Sequence, residues 1–101
     1  MDQTEALAKV SAYATRVLAE FHPAQVLLYG SYARGDQRDG SDLDVAVVVK
    51  NWPSSTLDAQ AQLFRLTSGL DTRIEPILLE EDHDRSGFLA SIRKYAIVVS
   101  G

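Results

Sequence analysis

The 101-residue sequence predicts an α/β (α+β) fold in which helices pack on a small mixed β-sheet. Three observations predict it. Apolar residues near the N-terminus recur at helical spacing, at Leu7, Val10, Ala14, Val17 and Leu18. The run Leu43 to Val49 is strongly β-branched, as a buried strand requires. Segments of these two kinds then alternate along the chain, separated by Gly, Pro, Asn and Asp.

The elements follow in order. Asp2, with Glu5 three residues later, has the form of a capping box, so the first helix is predicted from about Thr4 to Glu20, with Pro23 ending it. Gln25 to Tyr29 reads as a short strand broken by Gly30, and Ser31 to Arg34 as one helical turn. Gly35 to Gly40 is an exposed turn, because Gly and Asp supply the backbone freedom and local hydrogen bonds that turns need. Leu43 to Val49 is the buried strand, and Asn51-Trp52-Pro53 a loop. Ser55 with Asp58 opens a further helix through Leu57, Ala61, Phe64 and Leu66, stopped by Gly69. Arg73 to Leu79 is a third strand, which Pro76 confines to an edge or a non-bonding position. A last helix carries Phe88, Leu89, Ile92 and Tyr95, and Ile97 to Val99 adds a terminal strand.

Composition narrows the function. The length and the 46% hydrophobic content predict one domain over residues 1–101, small enough for a partner or a second copy to cover part of its surface. The absence of cysteine excludes disulfides, thiolate zinc sites and cysteine nucleophiles. His22 and His83 lack ligand spacing and read as surface or capping residues. The longest uninterrupted apolar run, Val45 to Val49, is far too short to span a membrane. Met1 to Glu5 has no signal-peptide pattern, so a cytoplasmic protein is expected. A net charge of −4 argues against direct binding of nucleic acid.

Chemistry concentrates in Gly30-Ser31, in Ser41-Asp42-Leu43-Asp44, and in Glu75. Side chains on a strand alternate faces, so Asp42 and Asp44 share one side while Leu43, Val45 and Val47 enter the core. If the third strand lies beside the second, Glu75 joins the two aspartates. Such a carboxylate cluster either holds a proton or binds a cation. Oxygen ligands without His or Cys favour Mg2+, or Mn2+, over zinc, and a magnesium site with few carboxylates is completed by substrate phosphates. Gly30 permits close backbone approach, the Ser31 hydroxyl and nearby amides are anion donors, and the planar fork of Arg34 one turn on suits a phosphate. No Gly-x-x-x-x-Gly-Lys-Ser/Thr loop occurs. Taken singly, a Gly-Ser pair is an ordinary turn, an Asp-x-Asp pair a solvated strand entrance, and Arg34 a surface charge. The conjunction at this spacing raises the odds.

The run Gly30-Ser31-Tyr32-Ala33-Arg34-Gly35, followed by Ser41-Asp42-Leu43-Asp44-Val45, closely resembles the signature of the polymerase-β-like nucleotidyltransferase superfamily, and within it the minimal nucleotidyltransferase (MNT) family that includes the MntA-type antitoxins. The resemblance implies a polymerase-β-like nucleotidyltransferase core with a nucleoside triphosphate, ATP by preference, as substrate. Gly30 and Ser31 would hold the triphosphate, with Ser41 helping. Asp42 and Asp44 would coordinate magnesium, with Glu75 in the third acidic position and Asp71 as its fallback. The implied reaction is transfer of AMP to a hydroxyl, most readily on a HEPN-domain toxin partner, with this chain acting as antitoxin. The rival reading is a non-catalytic nucleotide-binding module that neutralises a HEPN-like partner by complex formation. A small-molecule enzyme of the aminoglycoside-modifying kind would need a substrate domain that is not visible here.

Overall fold

A computed structural model describes residues 1–101. The elements run α1 (Gln3–Phe21), β1 (Gln25–Tyr29), α2 (Ser31–Arg34), β2 (Leu43–Val49), α3 (Thr56–Arg65), β3 (Ile74–Glu80), a 3-10 turn (Glu81–His83), α4 (Phe88–Arg93) and β4 (Ile97–Ser100). The four strands form one mixed sheet in the order β3-β2-β1-β4. β1 pairs antiparallel with both β2 and β4, whereas β2 and β3 run parallel, joined by the α3 crossover.

Both helix starts carry the caps that the sequence predicts. The Asp2 carboxylate accepts from the Glu5 amide at 2.8 Å, and the Ser55 hydroxyl from the Asp58 amide at 3.2 Å. At its other end α1 stops at His22, whose left-handed φ of 47° turns the chain into Pro23. Carbonyls in the last turn of α3 and just beyond it find donors on α1. The buried Tyr13 hydroxyl donates to the Leu63 carbonyl (2.8 Å), and Arg16 donates to the carbonyls of Leu66 (3.0 Å) and Ser68 (2.6 Å).

Strand alternation divides the core in two. Val26 and Leu28 of β1 and Leu43, Val45 and Val47 of β2 face α1 and α3, packing on Val10, Tyr13, Val17 and Leu63. Leu27, Ala46 and Val48 face the opposite way and are covered by Leu89 and Ile92 of α4. This second layer continues along the sheet to Tyr29, Asp44 and Glu75, which are in register across β1, β2 and β3.

One expectation needs correction, and two features go beyond the sequence pattern. α3 buries Ala59 and Leu63 and leaves Leu57, Ala61 and Phe64 outside the core, with Leu57 and Phe64 78% and 45% exposed. The reason lies in the neighbours. Leu63 must meet Tyr13, and Gln60 reaches the outer edge of β3, which together rotate the Leu57 stripe outward. Tyr95 lies beyond the end of α4, which stops at Arg93. The turn at Glu81–His83 had no counterpart in the sequence pattern.

Pro76 sits where the edge rule places it. β3 is an edge strand. The Arg73 carbonyl faces β2, accepting from the Leu43 amide at 2.8 Å, whereas the Pro76 carbonyl and the Leu78 amide face outward to the Gln60 side chain (2.6 and 2.9 Å). In a strand the amide and carbonyl of one residue point the same way, so the missing N–H of Pro76 falls on the free edge and costs no ladder bond.

Candidate active site

At one end of the sheet, at the margin of the cover that α4 gives, the C-terminus of β1 meets the N-termini of β2 and β3. There an open cleft of about 530 Å³ is lined by Tyr29, Asp42, Asp44, Glu75, Phe64 and Gln60 among others. The topology explains how residues distant in sequence arrive together. The parallel pairing sets Asp44 beside Glu75, and the antiparallel pairing sets Asp44 beside Tyr29. Asp42 lies two residues before Asp44, at the mouth of β2, and is exposed.

The electrostatics match the crowding of acids. The Asp44 carboxyl is pushed above the ordinary carboxylate range, first by burial, then by the negative charges of Asp42 and Glu75, with Arg34 offsetting part of this. Tyr29 is raised to about 12, by burial first and then by Asp44, Tyr95 and Glu75. Phe88 packs edge-on against the Tyr29 ring, at 5.7 Å between centroids.

A divalent cation fits this donor set. The ligands on offer are carboxylate oxygens, they repel one another across a solvent-open cleft, and no His or Cys competes. Asp42, Asp44 and Glu75 line the cleft without forming a pre-assembled three-ligand group. Such a set suits a cation that retains waters and completes its shell with substrate oxygens.

Gly30 closes against this acidic centre. Its φ of 73° and ψ of −154° fall in a region that glycine alone populates, and a Cβ placed there would overlap the Asp44 carboxylate. The Gly30 amide is engaged, donating to the Tyr95 hydroxyl at 3.2 Å, so the contribution of Gly30 is the absent side chain rather than a free donor. Ser31 opens α2, half-exposed, and its carbonyl accepts from the amides of Gly35 (2.9 Å) and Asp36 (3.1 Å).

Arg34 extends from the last position of α2. Its guanidinium approaches Asp36 at 3.4 Å, donates to the Tyr95 hydroxyl at 3.3 Å and lies 5.4 Å from the centre of the Tyr95 ring. Hydrogen bonding and charge from Asp36 raise its already high pKa. The Ser41 hydroxyl accepts from the Arg38 amide at 2.8 Å and closes the turn before β2. Its hydrogen is left to donate elsewhere.

Asp71 does not join the cleft. Its carboxylate is bound by Lys9 (2.6 Å) and by the guanidinium of Arg73 (2.7 and 2.9 Å), which hold it well below the ordinary carboxylate range. It ties the start of β3 to α1, away from the cleft that Asp42, Asp44 and Glu75 line. Tyr95 is the site neighbour that sequence reasoning missed. Its position after Ile92 reads as one more apolar residue of a helix, and nothing local marks its hydroxyl.

A family model described as "Nucleotidyltransferase domain" matches residues 10–99, and the chain belongs to that family. Among relatives, it is 33% identical over 79 residues to a Methanocaldococcus jannaschii protein named "Putative protein adenylyltransferase", covering 74% of this chain and 77% of that one. Its fold is similar to the crystal structure of a "putative nucleotidyltransferase" from Sulfolobus solfataricus, with a TM-score of 0.70, 22% identity, and coverage of 95% of this chain and 80% of that one. The mixed sheet with its packed helices is therefore a nucleotidyltransferase fold, and nucleotidyl transfer is the activity of the family.

Proposed function

We propose that this chain transfers AMP from ATP to a hydroxyl on a partner protein, with Asp42, Asp44 and Glu75 as the acidic centre. The observation that carries the reading is the placement of Asp44 directly beside Glu75 across the β2–β3 pair, with Asp42 in the same cleft and Gly30 against Asp44.

In the reaction the acceptor hydroxyl oxygen bonds to the α-phosphorus of ATP as the bond from that phosphorus to the bridging oxygen breaks, releasing pyrophosphate. The hydroxyl proton passes to the Glu75 carboxylate, or through it to water. Asp42 and Asp44, with Glu75, would hold Mg2+ (or Mn2+), which supplies charge neutralisation on the phosphoryl oxygens when bound. Gly30 lets the backbone close on Asp44 and so shapes the acidic centre. Ser31 and Ser41 offer hydroxyl donors, and Arg34 a planar cationic fork, to the triphosphate. No covalent protein intermediate is needed.

Two features favour a protein acceptor. The M. jannaschii relative carries the name of a protein adenylyltransferase. The exposed stripe Leu57, Ala61 and Phe64 borders the cleft, since Phe64 is both in the stripe and in the cleft wall. An acceptor protein docked over the cleft would cover that stripe and supply the missing wall, orienting its hydroxyl as an added domain would. The resemblance to MntA-type antitoxins makes a HEPN-domain toxin the partner class to test first, with this chain as its antitoxin.

The experiment mixes the chain with a co-encoded HEPN-like partner, ATP and magnesium, and measures intact mass. A gain of about 329 Da per AMP unit on the partner is expected from transfer with pyrophosphate release. A tight complex without added mass, under all four nucleotides, would instead establish the non-catalytic binding module.

A further inference from the structure

Tyr95 enters from the loop after α4, far in sequence from the Gly30–Arg34 segment, yet it makes three contacts there. Its hydroxyl accepts from the Gly30 amide at 3.2 Å and from the Arg34 guanidinium at 3.3 Å, and its ring faces that guanidinium at 5.4 Å. Both donors converge on the one phenolic oxygen. The contacts link the glycine that abuts Asp44 to the arginine proposed to grip the triphosphate.

Arg34 needs such a link. Its side chain is 48% exposed, and its other partner, Asp36 at 3.4 Å, is itself 63% exposed. An exposed ion pair of that length gives little positional hold. It also draws the guanidinium toward the outer turn. A planar guanidinium against an aromatic face, with a hydrogen bond to the same ring's hydroxyl, fixes direction as well as distance. Ordering the arginine before the nucleotide arrives removes part of the entropy loss that gripping a phosphate otherwise demands.

We infer that Tyr95 is a positioning residue for nucleotide binding, acting through Arg34 and Gly30 to aim the guanidinium at the triphosphate. The inference rests on the proposed nucleotide site. It predicts that Tyr95 matters to the phosphates and not to the nucleoside.

The test measures binding of ATP with magnesium, inorganic tripolyphosphate and AMP by calorimetry, in wild type, Tyr95→Phe, Arg34→Ala and the double variant. Tyr95→Phe keeps the ring and removes the hydroxyl. It should weaken ATP and tripolyphosphate about tenfold, the scale of one hydrogen bond to a charged group, and leave AMP within about twofold. In the Arg34→Ala background the same change should cost less than about twofold, because coupled residues are not additive. A residue that merely supports the fold would weaken all three ligands alike and multiply with Arg34→Ala, and that result overturns the inference. So does a Tyr95→Phe protein that binds tripolyphosphate like wild type. Should Tyr95→Phe fail to fold, Arg34→Lys replaces it. That variant keeps the charge but loses the planar guanidinium that contacts Tyr95, and wild-type tripolyphosphate affinity in it refutes the role of Tyr95. A wild-type protein that binds neither ATP nor tripolyphosphate overturns the nucleotide site itself, and the role of Tyr95 with it.

Discussion

Substituting Gly30 by alanine tests the link between backbone and chemistry directly. Two costs add. At φ 73° and ψ −154° a side-chain-bearing residue is strained by about 1–3 kcal/mol. The new methyl also occupies the space of the Asp44 carboxylate, so either that side chain turns away or the β1–β2 end opens. A domain of this size has roughly 5–15 kcal/mol of stability, and each kcal/mol lost lowers Tm by about 4–8 °C, so the backbone strain alone lowers Tm by roughly 4–24 °C and the clash adds to that. Gly69→Ala is the control. Its φ of 77° carries a left-handed penalty of about 1–2 kcal/mol, but a Cβ there meets nothing within 4 Å. Calorimetric unfolding and titration with ATP and magnesium should separate the two. Gly69→Ala should lose some stability and keep nucleotide affinity, whereas Gly30→Ala should lose more stability and most of its nucleotide binding. If Gly30→Ala melts no lower than Gly69→Ala and binds ATP like wild type, the packing of Gly30 on Asp44 does not shape the site.

Asp42→Asn and Asp44→Asn should each nearly abolish transfer and the metal dependence of ATP binding. Both should melt at or above the wild-type temperature, because each relieves like-charge repulsion and, at Asp44, carboxylate burial. Equal ATP affinity with and without magnesium, in wild type and both variants, would refute the site. Arg34→Ala should weaken ATP binding about ten- to a hundredfold, the range for a charged hydrogen bond. Unchanged affinity returns Arg34 to the status of a surface charge. Asp71 has a depressed carboxyl, so its contribution is fully present above its unfolded pKa of about 3.9 and is lost as pH falls below that value. Asp71→Asn should therefore lower Tm at pH 7 and flatten the acid limb of the Tm–pH profile below about pH 4, with no loss of ATP affinity. An acid limb as steep as that of wild type would refute the ion-pair account.

The sheet and the acidic centre were legible because their signals are local and periodic. The β-branched run of β2 and the alternation through Asp42 and Asp44 fix which side chains share a face, and a parallel β3 then brings Glu75 to Asp44. What was not legible depends on partners distant in sequence. The helical pattern of α3 does not say which of its apolar residues face inward. The choice fell to Ala59 and Leu63 because Tyr13 supplies a donor to the Leu63 carbonyl across 50 residues and Gln60 binds the β3 edge. Tyr95 is the same case at the site: its contacts span 61 and 65 residues, and no sequence window contains both ends.

Pro76 connects edge, cleft and acceptor. An exposed edge strand invites another strand to add to it, and a strand added beside Glu75 would close the cleft. The proline stands at a position whose donor would face outward, so that edge lacks one hydrogen bond there. Gln60 takes the next carbonyl and amide, at Pro76 and Leu78. Sheet extension at this point is thus blocked twice, while the inward-facing bonds that hold Glu75 in register with Asp44 are untouched. On this side the cleft is walled by the Gln60 and Phe64 side chains of α3. On the proposed reading, recognition there would rest on apolar fit and not on strand pairing, so replacing Phe64 by serine should impair modification of a protein acceptor while sparing ATP binding.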